Sequence, residues 1–286
     1  MRTTQASLDQ ELGARLAALA RRDREWRPWL ALLREAFHAL ENEGWGDPLA
    51  GSQVATLAPS SDGTPLLHGR ELLVDVRQAQ ALVSRLAGAV QLGPYRPTER
   101  DTLALLVHSV QDDRAAIEGL GGSAGVDGHR LDLVARLAVW PLLVACGRLL
   151  AGAVPPDWAP GHCPVCGAWP LLAELRGLER SRRLRCGRCA ADWPLAWLTC
   201  AYCGERDHGR LGSLVPDGEL DARKIETCST CRGYLKSVST LGALTPAELL
   251  LVDLETVELD LVARERSWLR PPGSARTPDV HVRARS

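Results

Sequence analysis

Four CxxC pairs constrain the fold of this chain more than any other feature. They are Cys163/Cys166, Cys186/Cys189, Cys200/Cys203 and Cys228/Cys231. Two residues between the cysteines let one tight turn aim both thiolates at one ion, and two such turns complete a tetrahedron. The intervals of 19 residues after the first pair and 24 after the third suit small ribbons that bring two turns together. The sequence therefore predicts two metal ions, each held by four cysteines.

An internal repeat indicates which pairs belong together. The first and third pairs are each followed by a glycine, Gly167 and Gly204, and the second and fourth are not. Glycine at this position readily takes the positive φ with which the chain leaves the turn. The order is typical of a tandem duplication, so we predict that the first pair joins the second and the third joins the fourth. An interleaved arrangement stays open as the alternative.

Other uses of the cysteines fit the spacing less well. Disulfides need an oxidising compartment, and thioredoxin-like redox chemistry uses a single CxxC at a helix start. Zinc and iron both accept four thiolates in a tetrahedron, so the sequence does not separate them. A closed four-thiolate site leaves no open position for water, which argues against hydrolytic catalysis. With no phosphate loop, nucleophile elbow or HExxH motif in the sequence, we expect a protein that is not an enzyme.

The cysteines also divide the chain, because the first 145 residues contain none. We predict an α+β protein in four parts. They are an all-α helical domain at 1–157, a first rubredoxin-like (zinc-ribbon-like) domain at 158–198, a second at 199–244, and a C-terminal helix with a loose tail at 245–286. A proline-containing stretch at 153–162 leads into the first ribbon, since it cannot continue a helix.

Hydrophobic periodicity and capping residues predict the helices. They begin at Ser7 and Pro28 and cover 72–89, 98–118 and 127–150, with a further helix after Thr245 and loops at 44–64 and 119–128. Cys146, in the most apolar of these helices, is expected to be a small core residue. A strand is predicted for the stretch YLKSVSTL that follows the last cysteine pair.

Charge gives little indication of a general partner. Thirty-four basic and thirty-five acidic side chains leave a net charge of −1, which speaks against nucleic acid as a partner. Six arginines surround the second pair: Arg176, Arg180, Arg182, Arg183, Arg185 and Arg188. We hypothesise that they form a docking face; a solvated ribbon edge is the simpler alternative.

Aromatic and histidine side chains also flank the pairs. Trp169, Trp193 and Trp197 are expected to cover the metal-centred core, whereas an exposed tryptophan would indicate a docking surface. His162 and His208 are not needed as ligands, because eight cysteines already suffice for two ions.

The sequence also bears on the compartment. No stretch reaches eighteen continuous apolar residues, and the first residues contain no apolar segment of the kind found in secretory signals. We therefore expect a cytoplasmic protein without membrane insertion.

The cysteine-containing half resembles the formate dehydrogenase accessory protein FdhE. The resemblance lies in CPVCG, in Asp192-Trp193 and the short run into CAYCG, and in Glu226-Thr227-Cys228 through Tyr234-Leu235-Lys236. Asp192 stands where the family commonly has glutamate. The N-terminal helices agree with the family in length and character, but they supply no motif of their own.

This resemblance implies a function that spacing alone does not. Proteins of the family are cytoplasmic, are needed for active formate dehydrogenase, and are thought to bind its catalytic subunit before export. Their rubredoxin-like centres are reported to hold iron, so the eight cysteines here would be the metal ligands. We therefore expect a maturation factor, in effect a chaperone, with two iron ions and zinc as the alternative metal. A rubredoxin-type electron carrier and a zinc-ribbon nucleic-acid-binding protein remain as alternatives.

Overall fold

The computed structural model describes residues 2–42, 44–49, 62–93, 95–216 and 222–285. They form two compact units. The first unit comprises Met1–Thr56, Gly69–Cys146 and Asp279–Ser286, and the second comprises Leu57–His68 and Gly147–Pro278. The chain thus contains both helices and sheet, as the α+β prediction required.

Helices dominate the first unit. They are α1 (Arg2–Arg22), α2 (Arg27–Asn42), α3 (Val76–Ala89), α4 (Glu99–Val110), α5 (Arg114–Ala124) and α6 (Gly128–Leu150), the last of which continues into the second unit. The first helix begins at Arg2, before the predicted Ser7, and the side chain of Ser7 lies outside the described residues. The loop predicted at 44–64 falls largely on residues that are not described.

Two strands correct the prediction that this region is all-α. Residues Arg70–Val74 form β1, which pairs in parallel with β8, Val280–Ala284. The helix predicted over 72–89 was therefore wrong at its start, and the tail predicted to be loose ends in a strand. The side chain of Asp75 accepts hydrogen bonds from the backbone of Arg77 and Gln78, so it caps α3 directly after the strand.

The helix predicted over 98–118 is two helices. The chain turns at Asp112, which has a φ of +55°, and Asp113 then caps α5 by accepting from Ala116 N. A side chain that caps a new helix satisfies backbone N–H groups that a continuous helix would have paired internally. Asp113 is therefore the sequence signal for the break.

The second unit is built on one six-stranded sheet. Its strands are β2 (Leu172–Arg176), β3 (Ser181–Arg185), β4 (Asp192–Pro194), β5 (Leu211–Leu214), β6 (Arg223–Cys228) and β7 (Tyr234–Thr240). The order across the sheet is β4-β3-β2-β7-β6-β5. All neighbours are antiparallel except β2 and β7, whose parallel pairing joins the two halves. The strand predicted after the last cysteine pair is β7.

The two halves of this sheet repeat one order of elements. In the first half a CxxC turn precedes β2 and β3, and a second turn lies between β3 and β4. In the second half a CxxC turn precedes β5 and β6, and the last turn lies between β6 and β7. This is the order that a tandem duplication would leave. The boundaries predicted at 157/158, 198/199 and 244/245 stay predictions, and the sheet runs across the second of them.

Two short helices, α7 (Pro246–Glu255) and α8 (Val257–Glu265), pack on one face of the sheet. Thr245 and Glu248 form the predicted capping box, each side chain accepting from the other's backbone N–H. Ile225 and Tyr234 of the sheet pack against apolar residues of α8. The helices therefore close one side of the second half of the sheet.

The apolar helix around Cys146 is the one helix among the described residues that is long and apolar enough to cross a membrane. Two thirds of its most apolar window, 67%, is buried inside the protein. Cys146 itself is fully buried, as predicted. This degree of burial is typical of a core helix.

Candidate metal centres

Residues Cys163, Cys166, Cys186 and Cys189 form one cluster, which we call site one. Their four sulfurs lie within 4.8 Å of one another. Cys163 Sγ is 3.4 Å from Cys189 Sγ, and Cys166 Sγ is 3.4 Å from Cys186 Sγ. All four side chains are buried.

Residues Cys200, Cys203, Cys228 and Cys231 form the second cluster, site two, with the same internal pattern. Cys200 Sγ is 3.7 Å from Cys231 Sγ, and Cys203 Sγ is 3.7 Å from Cys228 Sγ. In both sites the first cysteine thus lies near the fourth, and the second near the third. The cysteines group in the sequential order predicted, and the interleaved alternative is not the one observed.

These distances suit a shared ion. Sulfurs bonded at about 2.3 Å to a tetrahedral metal lie about 3.8 Å apart, close to the separations in both clusters. Backbone N–H groups also point at the sulfurs: Tyr202 N lies 3.4 Å from Cys200 Sγ, and Cys189 N lies 3.5 Å from Cys186 Sγ. Each cluster could therefore hold one metal ion with its four thiolates.

Every one of the four turns ends in a left-handed residue. Gly167 and Gly204 both have a φ of +73°, as the glycines predicted. Ala190 and Arg232 take φ values of +57° and +58° at the equivalent positions after the second and fourth pairs. The conformation is thus a property of the CxxC turn itself, and two of its four occupants adopt it at a steric cost.

The sulfurs in each cluster are electrostatically unequal. Burial raises the pKa of Cys163 and Cys189 above that of a free thiol, and it raises the pKa of Cys231 to about 11. In Cys186 and Cys228 burial acts in the same direction, but hydrogen bonds from backbone and neighbouring sulfurs outweigh it and lower the pKa. A metal ion bound by four thiolates would displace the remaining protons.

The six arginines around the second pair do not form an open basic face. None is exposed, and Arg182 and Arg185 are buried. Arg182 donates to Glu226 at 2.6 Å and to the carbonyl of Ala196 at 3.0 Å. Arg185 pairs with the fully buried Glu174. The docking face that we hypothesised on these arginines is therefore wrong for Arg182 and Arg185, because their charges are already engaged inside the protein.

Two acidic residues, Asp192 and Glu226, neutralise arginines of this group, and both lie in the sequence stretches that resemble FdhE. Asp192 accepts from Arg176 at 2.5 Å and from Arg183 at 3.2 Å. Glu226 holds Arg182, as described above. Arg182 lies in the first half of the sheet and Glu226 in the second, so this ion pair joins the two halves.

Tyr234 and Lys236 lie on the face of β7 that the helices cover. Lys236 is fully buried and its Nζ contacts Asp253 at 2.7 Å and Asp260 at 2.6 Å. The hydroxyl of Tyr234 donates to Asp260 at 2.8 Å. This polar network fixes the helices α7 and α8 to the strand that follows the last cysteine pair.

The three tryptophans have different surroundings. Trp193 is fully buried, and Trp169 packs edge-on against Tyr202, with ring centroids 5.3 Å apart. Trp197 is 46% exposed and lies beside Leu198, which is 60% exposed. The expectation that they cover the core therefore holds for Trp193 and fails for Trp197.

A cleft opens beside site two. Its volume is about 240 Å³, and it is lined by Trp197 and Leu198, by strands β5 and β6, and by Cys200 and Cys228. Lys224 lies over the ring of Trp197, 5.5 Å from its centroid. No sequence pattern pointed to this cleft, because its walls come from separate segments that only the sheet brings together.

The two histidines near the pairs lie outside both clusters. His162 is buried, and its Nε2 donates to the carbonyl oxygen of Gly63 at 2.9 Å. His208 is exposed, in a short 3-10 helix. Neither histidine belongs to one of the two four-cysteine clusters.

This chain is similar to known proteins both in its fold and in part of its sequence. The crystal structure of the FdhE protein from Pseudomonas aeruginosa is similar over 93% of this chain and 94% of that one, with a TM-score of 0.59 and 25% identity. The similarity supports the FdhE family for this chain. No protein-family model matches it.

Curated relatives agree with this assignment. The FdhE homologue of Aquifex aeolicus is 32% identical over 118 residues, which are 40% of each chain. The FdhE homologue of Pseudomonas aeruginosa is 35% identical over 114 residues, 38% of this chain and 37% of that one. The sequence match thus spans about two fifths of the length of these relatives.

Proposed function

We propose that the eight clustered cysteines bind two metal ions, one at each site, in rubredoxin-like centres. The sulfur separations of 3.4 and 3.7 Å support this, because they approach the edges of a metal–thiolate tetrahedron. The left-handed residue after each pair and the N–H groups directed at sulfur add to that support. With four thiolates per ion, no position is left open for a bound water, so the centres would not act in hydrolysis.

The metal we propose is iron, with zinc as the alternative, since both accept four thiolates. The test is metal analysis with an absorption spectrum, on full-length protein purified without oxygen. Ferric tetrathiolate centres absorb in the visible, whereas zinc centres do not. Zinc alone in the native protein would contradict iron and would leave the two-site geometry untouched.

For the whole protein we propose the role of a cytoplasmic accessory factor that binds the immature catalytic subunit of formate dehydrogenase and helps it to mature, without being an enzyme itself. The observation that carries this proposal is the structural similarity to an FdhE protein over nearly the full chain. The chain would act by holding the subunit, with the metal centres fixing the shape of the surface that does so.

Binding to the purified catalytic subunit tests this proposal directly. We expect saturable binding of the full-length protein to the immature subunit. We also expect formate dehydrogenase activity to fall in cells from which the gene for this protein has been deleted. Full activity in the deleted strain, together with no measurable binding, would refute the accessory role.

The exposed apolar pair Trp197 and Leu198 is the surface we propose for that contact, in place of the arginines. An exposed tryptophan beside a cleft is the kind of residue that carries binding energy at protein interfaces. The double variant Trp197→Ala with Leu198→Ser should weaken binding at least about tenfold, as expected when anchors of this type are lost. Leu178→Ser is the matched control, because Leu178 is 97% exposed on the β2–β3 turn, outside the cleft. Equal affinity of the double variant and the control would rule this surface out.

A rubredoxin-type electron carrier is the second candidate function. The exposure of Cys203 and Cys231 favours it, because electron exchange with a partner requires a centre near the surface. It predicts reversible one-electron reduction of the bound iron. A nucleic-acid-binding role has less support, since the arginines that would carry it are engaged with acidic side chains and backbone carbonyls.

A further inference from the structure

The two cysteine clusters share one internal geometry but differ in what covers them. At site one, the residues between the first two cysteines are capped by a distant segment. Leu66 N donates to the carbonyl of Pro164 at 2.7 Å, and Leu67 N donates to that of Val165 at 3.0 Å. The outer side of this turn is therefore paired with protein backbone instead of solvent.

Two more segments, around Arg276 and Gly147, contact the turns of site one. A Cβ placed on Gly167 would lie 1.9 Å from the carbonyl oxygen of Arg276, whose N–H in turn donates to Gly167 O at 3.0 Å. A Cβ on Gly147 would lie 2.1 Å from the carbonyl oxygen of Cys189. Both turns of site one are thus enclosed by chain segments that are remote in sequence.

Site two is covered less completely than site one. On its inner side, a Cβ on Gly161 would lie 1.7 Å from the carbonyl oxygen of Ala201. On the outer side, a Cβ on Gly204 would meet nothing within 4 Å. Cys203 and Cys231 are exposed, although the sulfurs of all four cysteines remain clustered.

On the outer side of site two a local contact links the two turns, and two other segments reach the last turn: Ser229 N donates to Arg210 O at 2.8 Å, and Leu269 N donates to Arg232 O at 2.9 Å. Thr230 Oγ1 donates to Glu205 at 2.7 Å, which links the two turns to each other. Both of these residues belong to the turns that they connect, and Ser229, Thr230 and Arg232 are exposed. Cys203 and Cys231 therefore lie at the surface, where solvent and small solutes contact these residues without any opening of the fold.

From this difference we infer that the two centres have different roles: site one is a structural centre that keeps its ion while the protein is folded, and site two is an open centre that exchanges its metal with solution and presents Cys203 and Cys231 to thiol-reactive solutes. The inference rests on the proposed binding of one metal per cluster. An incoming chelator must contact the ion or a sulfur that leaves it, and this contact is available at site two. At site one, exchange must wait for local unfolding.

Chelator competition on the full-length protein loaded with two zinc ions tests the inference. Pyridylazoresorcinol in excess should remove one equivalent in a fast phase and the second at least about tenfold more slowly, since the slow phase waits for an opening of the fold. Release of both ions in one phase would overturn the assignment. Failure of the protein to bind zinc or iron at all would instead refute the proposed metal binding, so the two failures are distinguishable.

Alkylation of the unmodified sequence identifies the sites without any risk of a misfolded variant. Iodoacetamide followed by peptide mass spectrometry should label Cys203 and Cys231 during the fast phase and leave Cys163 and Cys189 unlabelled. Labelling of site one at the same rate or earlier would contradict the inference.

A matched pair of variants gives an independent check. Cys203→Ser should abolish the fast phase and keep the slow one, whereas Cys166→Ser should remove the slow phase if that protein folds. Loss of the slow phase in Cys203→Ser, with the fast phase retained, would show that the roles are reversed.

Discussion

Replacing Gly167 and Gly204 by alanine, one at a time, compares the two metal centres at equivalent positions. Both glycines follow a CxxC pair and both have a φ of +73°. A left-handed alanine costs about 1–2 kcal/mol at either position. At Gly167 the new Cβ would also lie 1.9 Å from the backbone oxygen of Arg276 and 2.9 Å from the ring of Pro65, so a chain segment must move.

The extra cost at Gly167 follows from that contact. Overpacking of this kind typically costs about 1–3 kcal/mol. We therefore expect Gly167→Ala to lower the free energy of unfolding by about 2–5 kcal/mol and Gly204→Ala by about 1–2 kcal/mol. The assay is guanidinium unfolding of metal-loaded protein, with tryptophan fluorescence and metal release followed together and midpoints compared at equal slope. Equal losses for the two variants would refute the view that a remote segment covers the turn at Gly167 and leaves the turn at Gly204 open.

Three further substitutions test individual contacts in the same unfolding assay. Lys236→Met should cost about 3–5 kcal/mol, because it removes a buried charge from Asp260 and its neighbours; a loss below 1 kcal/mol would show that the network is not needed. Tyr202→Phe should cost about 1 kcal/mol, since the hydroxyl donates to a backbone carbonyl at 2.9 Å, and the metal content should stay unchanged; loss of metal would mean that Tyr202 supports the site itself. Thr245→Ala should cost about 1 kcal/mol through the lost helix cap shared with Glu248, and no change in stability would argue against the capping box.

The grouping of the cysteines was accessible from sequence because CxxC turns are local and their intervals bound the ribbon between them. The sequence indicates the left-handed conformation after only two of the four cysteine pairs. Gly167 and Gly204 indicated it, but Ala190 and Arg232 adopt the same conformation although their residue types disfavour it. The CxxC spacing therefore predicts a left-handed residue after the pair more generally than the presence of glycine does.

Contacts between distant segments account for the errors. Leu72–Val74 is a short apolar run that suits helix or strand equally, and its partner β8 lies near the other end of the sequence. The sequence suggests a surface for the arginines because a pattern of charges does not show which partners neutralise them. Glu174 and Glu226, which neutralise two of them, are brought to them only by the sheet. The difference in cover between the two metal sites likewise arises from the segments around Leu66 and Arg276, which no spacing rule connects to a cysteine.

Metal stoichiometry with a single-cysteine variant tests the central claim, two independent four-cysteine centres, most directly. Full-length protein purified without oxygen should contain two metal ions per chain, and Cys203→Ser should contain one, bound at site one. One ion or none in the unaltered protein, or loss of both ions in Cys203→Ser while the chain remains folded, would contradict the account.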